Sequence, residues 1–180
     1  GKTVVATLAA IAAMQGGYQA AFMAPTEILA KQHYEKLKSQ LAMLKGRELK
    51  VSLLISSANN AEKKKNIREI AQGETDLVIG THTLLEDKVN FKKLGLVVID
   101  EQHKFGVGQR ALLPGKGANP DVLIMTATPI PRTLAITLYA DMDISVINEL
   151  PPGRLPIKTL SFNESERPQA YAIAMEQLGQ

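Results

Sequence analysis

Asp100 and Glu101 stand side by side at the end of the unbroken apolar run Leu96-Val97-Val98-Ile99. An acidic pair delivered by a buried strand suits phosphoryl transfer. One carboxylate can hold the divalent cation that bridges the terminal phosphates of a nucleotide, and its neighbour can orient and deprotonate the attacking water. The chain opens with Gly1-Lys2-Thr3, the last three residues of a phosphate-loop signature. In that signature backbone N–H groups at a helix N-terminus cradle phosphates, the lysine reaches the β- and γ-phosphates, and the threonine hydroxyl holds Mg²⁺. Alone, the tripeptide reads equally as a capped helix start, and the acidic pair as a solvated strand end. Together, each at a fitting edge, they favour a nucleotide site.

A third element, Thr126-Ala127-Thr128-Pro129, follows the next apolar run. It is either a polar turn or a pair of hydroxyls that bond to the acidic pair and report nucleotide state to a neighbouring surface. Two more loops follow apolar runs, Ala24-Pro25-Thr26-Glu27 and Gly80-Thr81-His82. Each offers backbone N–H groups and a hydroxyl near a helix start, equipment for gripping a phosphate backbone without reading sequence; ordinary N-capping by Thr26 or Thr81 is the alternative. His82 and His103 lack the cluster of partners that a metal site needs.

The elements that must position these residues alternate. Val4 to Met14 has apolar residues at helical spacing and ends at Gly16-Gly17, where a left-handed cap is cheap. Ala20 to Met23 reads as a strand, and Ala30, Tyr34, Leu37, Leu41 and Leu44 form a helical stripe. Val51 to Ile55 and Leu77 to Ile79 read as strands around a helix over 62–71, and Leu94 to Ile99 and Val122 to Met125 as further strands. The continuously apolar character of 94–99 and 122–125 is that of strands covered on both faces. A helix over 132–139 and strands over 144–147 and 157–162 are also predicted, with a last helix over 168–178 whose face carries Tyr171, Ala174, Met175 and Leu178. Strands alternating with helices at this rhythm imply an α/β fold with a parallel sheet.

Composition narrows the class further. Of 180 residues 45% are hydrophobic and 22% charged, which excludes disordered and low-complexity chains, and the absence of cysteine excludes disulfide partners, zinc ribbons and thiol catalysis. The net charge of +3 is compatible with a polyanionic partner without demanding one. The apolar run 4–14 is shorter than the roughly 20 residues of a membrane span and lacks a basic leader, so neither membrane contact nor a signal peptide is expected, and a cytoplasmic location is the default.

Gly1-Lys2-Thr3, Ala24-Pro25-Thr26-Glu27, Gly80-Thr81-His82, Asp100-Glu101-Gln102-His103 and Thr126-Ala127-Thr128 occur in the order found in superfamily 2 helicases, which residues 1–161 resemble. The stretch Lys104-Phe105-Gly106-Val107 with Gln109-Arg110, the segment Met-Thr-Ala-Thr-Pro-Ile-Pro-Arg-Thr-Leu-Ala over 125–135 and Glu149-Leu150-Pro151-Pro152-Gly153-Arg154 are similar to the bacterial helicases that act on branched DNA. The resemblance implies a RecA-like P-loop NTPase domain, a parallel sheet flanked by helices and truncated at both ends, in a bacterial ATP- and Mg²⁺-dependent DNA helicase or translocase. By position, Gly1, Lys2 and Thr3 would bind the ATP phosphates, Thr3 and Asp100 would hold Mg²⁺, and Glu101 would activate water. Gln102 and His103 would link hydrolysis to domain closure, Thr126, Thr128 and Arg132 would relay it, and Pro25, Thr26, Thr81 and His82 would lie along the backbone of branched or double-stranded DNA.

The same resemblance divides the chain into a first motor domain over 1–150, a Pro/Gly linker over 151–156 and the beginning of a second motor domain over 157–180. Opening on Gly1 with no strand ahead of it, the chain is expected to be a piece of a longer protein, with apolar surface exposed at both ends and little activity alone. Lys104 stands where the family commonly has arginine, which keeps the charge and loses the planar fork. Transcription-repair coupling translocases share several of these motifs and remain an alternative, as does a nucleic-acid-binding module without turnover. An ATPase acting on proteins or small molecules would not need the 126–132 segment.

Overall fold

A computed structural model of the chain describes residues 1–44, 48–101, 105, 112–128, 142–147, 149, 157 and 159–178. Two compact units divide at Ile144/Ser145. The first is built from α1 (Lys2–Gln15), β1 (Gln19–Met23), α2 (Glu27–Ala42), β2 (Val51–Leu54), α3 (Asn60–Gln72), β3 (Leu77–Gly80), β4 (Leu94–Asp100) and β5 (Asp121–Met125). The five strands form one parallel sheet in the order β2-β3-β1-β4-β5. This is the α/β class that the alternation of elements implies, and each of the first five predicted strands is present within a residue or two.

Every residue of β1 and of β3 is buried, because helices cover both faces. The two-residue repeat of a strand sends Ala20 and Phe22 to one face, where they meet Ala6, Ala10 and Met14 of α1 and Ala30, Leu37 and Leu41 of α2. Ala21 and Met23 go to the other face with Ile70 of α3, Leu84, Phe105 and Leu113. Local signals end the helices: Thr26 caps α2 by accepting from the Leu29 amide at 3.3 Å. Past α1 the left-handed residue is Gly17, with φ +75°, while Gly16 keeps φ −73°. At the end of β3, a Cβ on Gly80 would run into the Leu54 carbonyl of β2, so only glycine lets the two strands close there.

The second unit contains α4 (Arg167–Leu178), preceded by a single 3-10 turn at Glu164–Glu166 that a capping box between Asn163 and Glu166 starts. Strands were expected over 144–147 and 157–162, but the described residues there carry none. The described residues there pair with no strand, and strand propensity without pairing does not make a strand. Tyr171, Met175 and Leu178 on α4 are exposed, as are Val4, Val5 and Leu8 on α1. The predicted helix over 132–139 and the linker over 151–156 lie outside the described residues.

Ile79, fully buried in β3, should be intolerant of truncation: Ile79→Ala is expected to lower unfolding stability by about 2–5 kcal/mol in chemical denaturation. Val5→Ala, at a half-exposed position, should change it by less than about 0.5 kcal/mol.

Candidate functional site

Parallel strands bring all their carboxyl ends to one edge, the usual place for ligands in an open α/β sheet. Five loops therefore line up: 24–27 after β1, 55–57 after β2, 81–82 after β3, 100–101 after β4 and 126–128 after β5. Only three residues join α1 to the start of β1, and α1 packs back along β1 and β4. Its amino end, where Gly1 is the N-cap with no side-chain cap, consequently lies at this same edge, with the first-turn amides of Lys2 and Thr3 pointing out of the helix.

Asp100 closes β4, and its Oδ2 lies 3.0 Å from Nε2 of His33 on α2, with both side chains only 13% exposed. The imidazole packs on the Phe22 ring of β1, centroids 4.5 Å apart and tilted by 41°. His33 was not singled out from sequence. The available signal was its place three residues after Ala30 and four before Leu37, a polar residue within the buried stripe of α2, nearly two turns into a helix that starts at the ligand edge.

Glu101 departs from the strand. Its φ of +50° is the sole positive value at a non-glycine among the described residues, and such a conformation costs about 1–2 kcal/mol. Its amide donates to the Met125 carbonyl at 2.9 Å, one step beyond the Asp100–Met125 register of β4 and β5. The carboxylate accepts from the Ala127 amide at 3.2 Å and lies 3.5 Å from the Thr126 hydroxyl. Thr126 and Thr128 hydroxyls are 2.8 Å apart, and the Thr128 amide donates to Thr126 Oγ1 at 3.2 Å. Glu101, Thr126 and Thr128 are thus one hydrogen-bonded group shared by the ends of β4 and β5.

On the other side of the edge Glu27 accepts from the Ser57 amide at 3.0 Å and the Ser57 hydroxyl at 2.5 Å, tying the loop after β1 to the loop after β2. The Ser57 hydroxyl, then its amide, hold the Glu27 carboxyl below its ordinary range. Pro25, Thr26 and His82 lie at the surface, with His82 Nε2 3.5 Å from the Ser56 hydroxyl. Thr81 is 2% exposed, its hydroxyl 3.4 Å from that of Thr83, and it makes no side-chain cap. Gln102, His103, Lys104 and Arg132 lie outside the described residues.

Residues 1–136 match the DEAD/DEAH box helicase family. The chain is 54% identical over its whole length to the ATP-dependent DNA helicase RecG of Synechocystis sp. and covers 21% of that protein; it is 56% identical over 169 residues to RecG of Streptococcus pneumoniae, covering 24% of it. The chain thus spans between a fifth and a quarter of the length of these relatives. A solved structure of RecG bound to a three-way DNA junction superimposes on 99% of this chain with TM-score 0.82 and 40% identity, the match covering 23% of that protein.

The Glu27–Ser57 clamp gives a titration with a definite sign. A carboxyl whose folded pKa is depressed stabilises the fold above its unfolded value, and that contribution fades as pH falls through the folded pKa. In Ser57→Ala the Glu27 carboxyl, followed by NMR, should titrate at higher pH than in the wild-type chain, back toward the ordinary glutamate range.

Proposed function

Because the chain belongs to the DEAD/DEAH box helicase family, we propose that it is the first motor domain of an ATP-dependent DNA helicase that remodels branched DNA, such as stalled forks and four-way junctions, in recombination, repair and replication restart. The observation that carries the reading is the 54% identity to RecG across all 180 residues, supported by the likeness to a junction-bound RecG structure. On this reading residues 1–150 form the first motor domain, 151–156 the linker and 157–180 the opening of the second, with the bacterial cytoplasm as the place of action. Among the described residues no helix is long and apolar enough to cross a membrane.

The site suits a nucleotide with Mg²⁺. Among the described residues no cluster of three or more His, Cys, Asp or Glu could bind a metal by itself. Asp100, one of whose oxygens is engaged by His33, and Thr3 leave a sparse set of hard oxygen donors. That suits a cation that takes one or two protein oxygens and completes its shell with phosphates and water. When bound, Mg²⁺ neutralises charge on the β- and γ-phosphates. Gly1, Lys2 and Thr3 hold those phosphates at the start of α1, Asp100 and Thr3 hold the metal, and Glu101 orients and accepts a proton from water.

The bonds of Glu101 supply a relay. A proton taken up by its carboxylate converts an acceptor into a donor, which weakens its bonds from the Ala127 amide and the Thr126 hydroxyl and so alters the loop after β5. Thr128 and Arg132 pass that change on, Gln102 and His103 link it to closure against the second motor domain, and Pro25, Thr26, Thr81 and His82 face the DNA backbone. Thr81 contributes by shaping the loop that presents His82, its side chain buried and its amide donating to the Leu54 carbonyl at 3.4 Å.

ATP hydrolysis by the full-length protein, assayed with and without a synthetic four-way DNA junction, tests the proposal. Strong junction stimulation, abolished by Lys2→Ala and reduced roughly 10²-fold or more by Glu101→Gln with nucleotide binding retained, is the expected result. Turnover indifferent to DNA, or surviving Lys2→Ala, would overturn it.

A further inference from the structure

Asp100 meets a side chain that no part of the proposed reaction requires. His33 comes from α2, 67 residues away in sequence, and reaches across the end of β1 to place Nε2 3.0 Å from Asp100 Oδ2. A carboxylate only accepts, so Nε2 carries the hydrogen. Three constraints fix the ring: the α2 backbone, buried on the sheet through Ala30 and Leu37; the Phe22 ring at 4.5 Å; and the bond to Asp100 itself. A carboxylate at a strand end otherwise turns freely about its terminal torsion, which is broad. With Oδ2 held by a rigid donor, the turn is removed and Oδ1 is presented in one direction.

We propose that His33 is the positioning residue of the metal site, holding Asp100 so that Oδ1 faces the cation bound with the nucleotide. The assignment rests on the nucleotide-site reading above and adds a residue to it. His33 touches neither phosphate nor metal; it acts through Asp100, as partners in an outer ligand shell do, whose loss characteristically weakens metal affinity about 10- to 100-fold. His33 also joins the loop after β4 to α2, whose N-cap Thr26 lies in the loop after β1 proposed to face DNA. The orientation of Asp100 is therefore set by the same helix that carries part of that surface.

Three variants of the full-length protein separate this role from packing. His33→Phe keeps an aromatic ring against Phe22 and loses the donor; His33→Gln keeps a donor at similar reach; Asp100→Asn removes the proposed metal ligand. Binding of a fluorescent ATP analogue is titrated with Mg²⁺ and measured again in EDTA, with melting temperature recorded for each variant. In His33→Phe half-saturating Mg²⁺ should rise roughly tenfold or more, approaching Asp100→Asn, while His33→Gln stays within about threefold of wild type. In both His33 variants metal-free binding and melting temperature should change little. An unchanged Mg²⁺ requirement in His33→Phe would overturn the inference, as would equal impairment in the Phe and Gln variants, or a loss of metal-free binding as large as the loss of metal-dependent binding. A wild-type protein showing no Mg²⁺-dependent binding of the analogue would overturn the nucleotide-site reading and this inference with it. Intact wild-type and impaired Asp100→Asn binding beside an unaffected His33→Phe would overturn the inference alone.

Discussion

The backbone at Glu101 turns left-handed directly after β4, and a set of short contacts to the end of β5 holds it there. The Glu101 amide donates to the Met125 carbonyl at 2.9 Å, and its carboxylate accepts from the Ala127 amide at 3.2 Å. Had the chain continued as a strand, alternation would have sent the Glu101 side chain to the sheet face opposite Asp100. The turn instead leaves Asp100 facing α2 and His33 while Glu101 faces Thr126 and Thr128. Two adjacent carboxylates thereby acquire different neighbours, which is what a division of labour between them needs. The conformational cost, about 1–2 kcal/mol, is offset by the amide hydrogen bond to the Met125 carbonyl and the hydrogen bonds to the Glu101 carboxylate.

That arrangement depends on β4 and β5 being neighbours and parallel, which in turn depends on helices long enough to return the chain to the same edge each time. α1 and α2 cover one face and α3 the other, so the central strands β1 and β3 are buried on both sides. The loops at the edge are also tied to each other. Glu27 binds Ser57 across the ends of β1 and β2, and Thr83 donates from the loop after β3 to the Leu54 carbonyl of β2. A change at one loop therefore meets resistance from its neighbours, which is a property suited to a domain that must transmit rather than absorb a local event.

Much of this was legible in the sequence because it is local. The run Leu96–Ile99 ending in two acids reads as a buried strand delivering them to an edge, and Thr26 before α2 is a helix-start signal in its own right. The partnership of Thr126 with Glu101 was anticipated from both lying at strand ends. His33 and the Glu27–Ser57 clamp were not, since each contact joins residues 67 and 30 positions apart and depends on the register of whole elements, which periodicity does not convey. The stretches over 144–147 and 157–162 differ the other way: their apolar, β-branched residues satisfy strand propensity, but a strand is a relation between two segments and the described residues there are paired with none.

On the proposed function, the Glu101–Thr126–Thr128 group couples ATP turnover to work on DNA rather than only supporting the hydrolytic site. The most direct measurement is strand separation on a branched DNA substrate, in parallel with ATP hydrolysis, for the full-length protein carrying Thr126→Val and Thr128→Val together. These changes keep shape and remove both hydroxyls while leaving the Ala127 amide on Glu101. DNA-stimulated ATP hydrolysis should largely persist while strand separation is lost. Equal losses of both activities, or unimpaired strand separation, would contradict it.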